Sequence, residues 1–204
     1  GKGRDETAYC VTKFLNGNIY LVDIGGFNSG YSEHTLSKLV EVAKKHKVKK
    51  IMLHGNHEDR IDRFVDENPE LDGTIKISDL HFKKYGWEEV PYKEIKSVDG
   101  VHYCHHLPSG IMGSAISGEN IARSILTKHK VSATVGHSHL LDYAVSTLPG
   151  GKKLHALSAG CYLNHTEYFA RDTQHMWWSG LIVKREVKEE SGLLIEEPHL
   201  KGVL

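Results

Sequence analysis

The chain is short of cysteine, has no excess of either charge and contains no long apolar run. Cys10, Cys104 and Cys161 are its only thiols, widely spaced and without a Cys-x-x-Cys. That argues against a disulfide framework and for a reduced, cytoplasmic setting. Lys+Arg and Asp+Glu both number 26, so the formal net charge is zero. A balance of that kind argues against a large nonspecific nucleic-acid surface and still allows a local basic patch. No segment reaches 18 apolar residues, so nothing spans a membrane. Gly1-Lys2-Gly3-Arg4-Asp5 leads into no apolar stretch of a secretory signal, and the missing initial Met is what a fragment or a processed start would show. There are no repeats and no low-complexity segments. The remaining composition is ordinary: 39% hydrophobic and 25% charged over 204 residues, enough for one sizeable core or one core with a small appendage.

What is abundant is histidine, with 15 residues, an excess that favours metal chemistry without naming ligands. One stretch organises them. Ile51-Met52-Leu53-His54-Gly55-Asn56-His57-Glu58-Asp59-Arg60 is an apolar run ending in glycine, followed by polar groups without a gap. A buried parallel strand reads this way, and functional loops sit at the carboxyl ends of such strands. Asn56 offers an amide oxygen to a cation, and His57 offers a proton or a lone pair. The same residues also suit a plain helix-capping turn before a helix near Glu58. Two further stretches bear on the choice. Gly136-His137-Ser138-His139 follows Ala133-Thr134-Val135, and histidines at i and i+2 of an extended segment point the same way. Tyr103-Cys104-His105-His106 ends another strand-like run. Neighbours on a strand face opposite ways, so His106 is the register alternative to His105.

Along the chain, Ala8–Leu15 and Asn18–Ile24 read as a hairpin around Asn16-Gly17. A Gly-rich loop follows over residues 25–30, then a helix capped by Ser32 with Leu36, Leu39, Val40 and Ala43 on one face. A strand starts near Val48. Arg60–Asp66 reads as a short helix with Ile61, Phe64 and Val65 together. Trp87–Tyr92 is a strand candidate interrupted by Pro91. An Asp99-Gly100 turn precedes a strand over 101–106, and residues 108–118 form a Gly-rich loop. Ser117 is placed to cap a helix whose Ile121, Ala122, Ile125 and Leu126 face the core. Residues 131–135 are a strand, Leu141–Ser146 and Leu154–Leu157 a hairpin around Pro149-Gly150-Gly151, and Ser179–Val187 a late strand before a charged tail.

Taken in order, Gly55-Asn56-His57-Glu58, a lone histidine and Gly136-His137-Ser138-His139 resemble the calcineurin-like metallophosphoesterases, notably those of tailed phages. The resemblance runs from about residue 51 to 204. It implies an α/β fold with a layered sheet, one or two divalent metal ions (Mn, Ni, Fe or Zn) and a phosphate-ester substrate. By that resemblance Asn56, His105 and His137 serve one metal and His139 the other. His57 acts on the leaving oxygen and Glu58 orients it. Arg60 is either a phosphate contact or a surface ion-pair former. His54, His102, His129 and His155 are read as structural or surface residues, and Trp177-Trp178 as packing in preference to a nucleobase platform.

Residues 1–50 break the pattern. The Asp-x-His and Gly-Asp motifs of that family are absent, and Asp23 is the one acid there that stands at the end of a β-rich run. Gly1-Lys2-Gly3-Arg4-Asp5-Glu6-Thr7 and Tyr20-Leu21-Val22-Asp23-Ile24-Gly25-Gly26-Phe27 instead resemble the RNase H-like nuclease domain of phage large terminases. The chain thus reads as a terminase-like hairpin plus helix (1–50) joined to a phosphoesterase-like domain (51–204), with a divergent phosphoesterase N-terminus as the alternative. The resemblances imply a phage protein acting in the host cytoplasm. The functional expectation is metal-dependent phosphoester hydrolysis, impaired by an incomplete metal site. The alternatives are a nuclease or packaging-related fragment with nucleic acid as partner, and an inactive fusion product.

Overall fold

A computed structural model describes residues 7–15, 18–27, 33–162, 167–168, 170–180, 182–185, 187 and 194–196. The chain divides into two compact units, Gly1–Met52 with Leu71–Glu89, and Leu53–Glu70 with Val90–Leu204. It is a mixed α/β protein.

In the first unit, β1 (Thr7–Leu15) and β2 (Asn18–Phe27) form an antiparallel hairpin, with a register shift between Val11 and Thr12. The second strand runs past the expected end at Ile24, because Gly25, Gly26 and Phe27 pair with Tyr9, Ala8 and Thr7. The ladder takes residues that turn chemistry alone would assign to a loop. The expected turn at Asn16-Gly17 and cap at Ser32 lie outside the described residues. Helix α1 (Glu33–Lys45) ends in Lys44 and Lys45, cations placed against the negative end of the helix dipole. Lys47 takes a left-handed conformation, and Val48 donates its N–H back to Ala43 at 2.9 Å, which closes the helix end. Strand β3 (Ile51–Leu53) starts three residues later than read from sequence, and it pairs with β4 (Glu88–Val90), which stops before Pro91.

In the second unit, α2 spans Asn56–Glu67. It begins earlier than expected because Gly55, and not Asn56, holds the N-cap position. Glu58 accepts the Gly55 N–H at 2.7 Å, the return half of a capping box. Ile61 and Val65 are half-buried, but Phe64 is 52% exposed, so the apolar face is narrower than the pattern suggested.

The main sheet has the order β5-β6-β7-β9-β8, formed by β5 (Lys96–Val98), β6 (Val101–Cys104), β7 (Ala133–Val135), β8 (Leu141–Thr147) and β9 (Lys153–Ala159). The outer pairs are antiparallel, while β6, β7 and β9 run parallel. The β5–β6 turn uses Asp99 and Gly100, both at positive φ, as a two-residue hairpin of this kind requires. Helix α3 (Ile121–Lys128) buries the expected face of Ile121, Ala122, Ile125 and Leu126. Each large apolar side chain buried there contributes about 1.5–3 kcal/mol. Ser117 does not cap this helix. The bond comes from across the fold: Asp142 on β8 accepts the Ala122 N–H at 2.8 Å. A cap contributed by a distant strand leaves no local signature. The late strand shrinks to β10 (Val183–Arg185), which pairs with β11 (Leu194–Glu196).

Asp142→Ala is expected to lower stability by about 1 kcal/mol through loss of this cap, with Asp142→Asn keeping most of it. Chemical denaturation checks this, and equal losses in both variants would show that the amide bond is not what matters.

Candidate metal centre

Three parallel strands end at one edge of the main sheet, and their next residues carry the chemistry. After Cys104 come His105 and His106, after Val135 come Gly136 and His137, and after Ala159 comes Gly160. The Gly136 N–H donates to the His105 carbonyl at 3.0 Å, so the ladder continues one step past the strands. Beyond it the chain turns sharply. Ser138 donates its N–H to the Gly136 carbonyl at 2.8 Å, with His137 at φ 69°. A tight three-residue turn of this sense is rare and strained, and strain of this kind collects at functional sites. Ser138 holds the turn from beneath through a 2.8 Å hydroxyl bond to Ser158, which is wholly buried on β9.

His105 lies at the centre. Its Nε2 is 2.7 Å from Asn56 Oδ1 and 3.0 Å from His137 Nδ1. One ring nitrogen has either one proton or one lone pair to offer, so it serves two such neighbours poorly. Donors bound to a common cation at ~2.1 Å stand roughly 3 Å apart, and the observed spacing fits that arrangement. His106 joins the group: ring nitrogens of His105, His106 and His137 all lie within 4.8 Å of one another. The two neighbours thus do not diverge as strand alternation would have them. Both lie past the end of β6, where strand alternation no longer applies.

Burial lowers the pKa of all four relevant histidines. That of His105 falls from the ordinary 6.5 to about 4, through desolvation first and then the neighbouring His137 and His106. His106, His137 and His139 move the same way for the same leading reason. Their rings are therefore neutral near pH 7, with lone pairs free for a cation. Neutral N and O donors suit Mn, Fe, Ni or Zn.

His139 is not in the close group. Its ring stands edge-on to Trp177 at 4.1 Å between centroids, while His137, His57 and Glu167 act on it through charge. His57 is exposed at the start of α2 and acts electrostatically on His105, His137 and His139. Arg60 is exposed on the same helix. Glu167 escaped the sequence reading because it belongs to no motif. So did Tyr92, whose ring stands against His105 and His106 at 5.8 and 5.4 Å. Trp178 packs: a Cβ on Gly160, at φ 68°, would fall 2.4 Å from its ring. Three of the histidines set aside have local partners, His102 with Ser97, His129 with the Pro108 carbonyl and His155 with Tyr143.

Residues 1–79 match the family described as Terminase Bacteriophage T7, Ribonuclease H-like domain. The match continues past residue 50, where the sequence reading stopped it. Over 59 residues, 29% of this chain, the protein is 46% identical to the terminase large subunit of Enterobacteria phage T3. The aligned part amounts to 10% of that relative. No solved structure matches.

Gly55 gives a clean steric test, since its backbone angles (φ −102°, ψ −174°) suit any residue. An added Cβ would lie 2.8 Å from the His105 ring. Gly55→Ala is expected to displace His105 and weaken divalent-metal uptake at least tenfold, read by calorimetric titration, with little change in the far-UV spectrum. Unchanged uptake would remove His105 from the site.

The pKa depressions predict a pH effect on the metal-free chain. Between pH 6.5 and about 4 the unfolded chain binds protons that folded His105 refuses. Stability is therefore full above about 6.5 and is lost as pH falls toward 4. In thermal unfolding with chelator, His105→Gln should show a shallower loss across that window than the parent. Parallel profiles would contradict the assignment.

Proposed function

We propose that this chain is a metal-dependent phosphoric ester hydrolase whose chemistry lies at the histidine edge of the main sheet. One observation carries the reading: His105 Nε2 is crowded between Asn56 Oδ1 and His137 Nδ1 at 2.7 and 3.0 Å. Asn56, His105 and His137 would hold one divalent ion, and His139 a second. A bound ion of this class polarises the phosphoryl oxygen and lowers the pKa of a bound water. The chain's own residues do the rest. His57, at the positive end of α2, gives a proton to the leaving oxygen. Glu58, fixed by the Gly55 N–H, holds the helix start and so the placement of His57. The layered calcineurin-like sheet and a boundary near residue 50 belong to this proposal and rest on the motifs.

A second reading has its own support. The family match over residues 1–79 and the terminase relative favour a terminase-related nuclease segment, with nucleic acid as substrate and divalent metals as cofactors. Both readings cut phosphoester bonds, and they differ in which residues do it. Asp23 on β2 is the acid to test for the second, and Asp5 lies outside the described residues.

Turnover of bis(p-nitrophenyl) phosphate with Mn²⁺ separates them. His57→Ala should lower kcat by about 10²–10⁴ while leaving metal content unchanged, and Asp23→Ala should leave the rate at the parental level. The reverse pattern would move the chemistry to the terminase-like segment.

A further inference from the structure

We propose that His106 is itself a metal ligand, so that Asn56, His105, His106 and His137 form one complete centre that needs no carboxylate from residues 1–50. The inference rests on the preceding reading of this edge as a metal site. It departs from it in ligand set and number, giving four neutral ligands and a single ion.

His106 is 9% exposed, and its Nδ1 is buried without a hydrogen-bond partner. A buried nitrogen left in this state costs stability unless something binds it. The ring belongs to the same close group of ring nitrogens as His105 and His137. A buried imidazole nitrogen that no protein group satisfies is what a ligand to an ion leaves in the metal-free chain.

The loop that follows His106 is well anchored. Ile116 N–H donates to Leu107 O and Ser109 N–H to Ser114 O, which makes a short hairpin of residues 107–116. His129 Nε2 and Lys128 Nζ, at the end of α3, donate to the Pro108 and Ser109 carbonyls at 2.8 and 2.6 Å.

Charge completes the case. Among the described residues no carboxylate belongs to the close group, and Glu58 is engaged by the Gly55 N–H. Three imidazoles and an amide oxygen leave the ion's double charge uncompensated. Neutral ligands with an open position are what a hydrolytic centre uses to acidify water. A missing bridging Asp is then no defect, because the fourth ligand is the residue beside His105.

Titration of the full chain with Co²⁺, followed by calorimetry and visible absorption, tests this. The parent should bind one ion per chain. His106→Ala should weaken binding by about 100-fold or more, beyond the usual loss for an outer-shell residue, and change the Co²⁺ spectrum. His106→Asn, whose amide falls near the Nδ1 position, should regain part of both. Nitrogen NMR of the parent gives a readout independent of any variant: on adding Zn²⁺ the His106 Nδ1 resonance should move to the metal-bound range. If His106 variants keep the parental affinity and spectrum while His137→Ala loses the metal, His106 is structural and this proposal falls alone. An unmoved His106 Nδ1 resonance in a Zn²⁺-loaded parent has the same meaning. If His137→Ala also binds normally, the reading of the edge as a metal site falls with it.

Discussion

The parallel register of β6 with β7 is the constraint on which the site depends. Tyr103 lies beside Thr134 and Cys104 beside Val135, so both strands stop at one level. His105 then lies beside Gly136, and His137 follows one residue on, its Nδ1 3.0 Å from His105 Nε2. Parallel pairing is the less stable kind per residue, and here it is secured by burial: Cys104, Ala133 and Val135 are at most 3% exposed. A register slip by one residue would turn these side chains out of the core and change how His105 meets His137. The core therefore fixes the site's geometry before any ligand binds.

The rest of the second unit can be read as support for that edge. Gly55 lets α2 start against the His105 ring, where any side chain would collide. Ser158 holds the strained turn at His137. Trp177 covers His139. A chain concerned only with stability would have little use for buried neutral histidines with lowered pKa and a backbone held at positive φ. Costs of this kind are kept where function requires them.

Much of this was legible in the residues. The apolar runs ending in Gly55 and Gly136 gave two loops of the site, and the 3.6-residue period gave the buried face of α3 correctly. What was missed arose from contacts distant in sequence. The Asp142 cap on α3 bridges 20 residues, and β2 continues through two glycines because a partner strand is available. His106 was set against His105 by a strand rule that ceases to hold one residue earlier. Tyr92 and Glu167 carry no spacing signal at all. The terminase likeness was read from residues 1–50, yet the family match reaches residue 79, since resemblance to a family need not end where compact units do.

The central claim is that the chemistry resides in the histidine edge and not in acids of the terminase-like segment. X-ray absorption of the full chain loaded with one equivalent of Zn²⁺ tests it most directly. The account predicts a nitrogen and oxygen shell with the outer-shell scattering of three imidazoles, those of His105, His106 and His137. A shell of oxygen alone, without imidazole scattering, would contradict it and place the metal on carboxylates elsewhere.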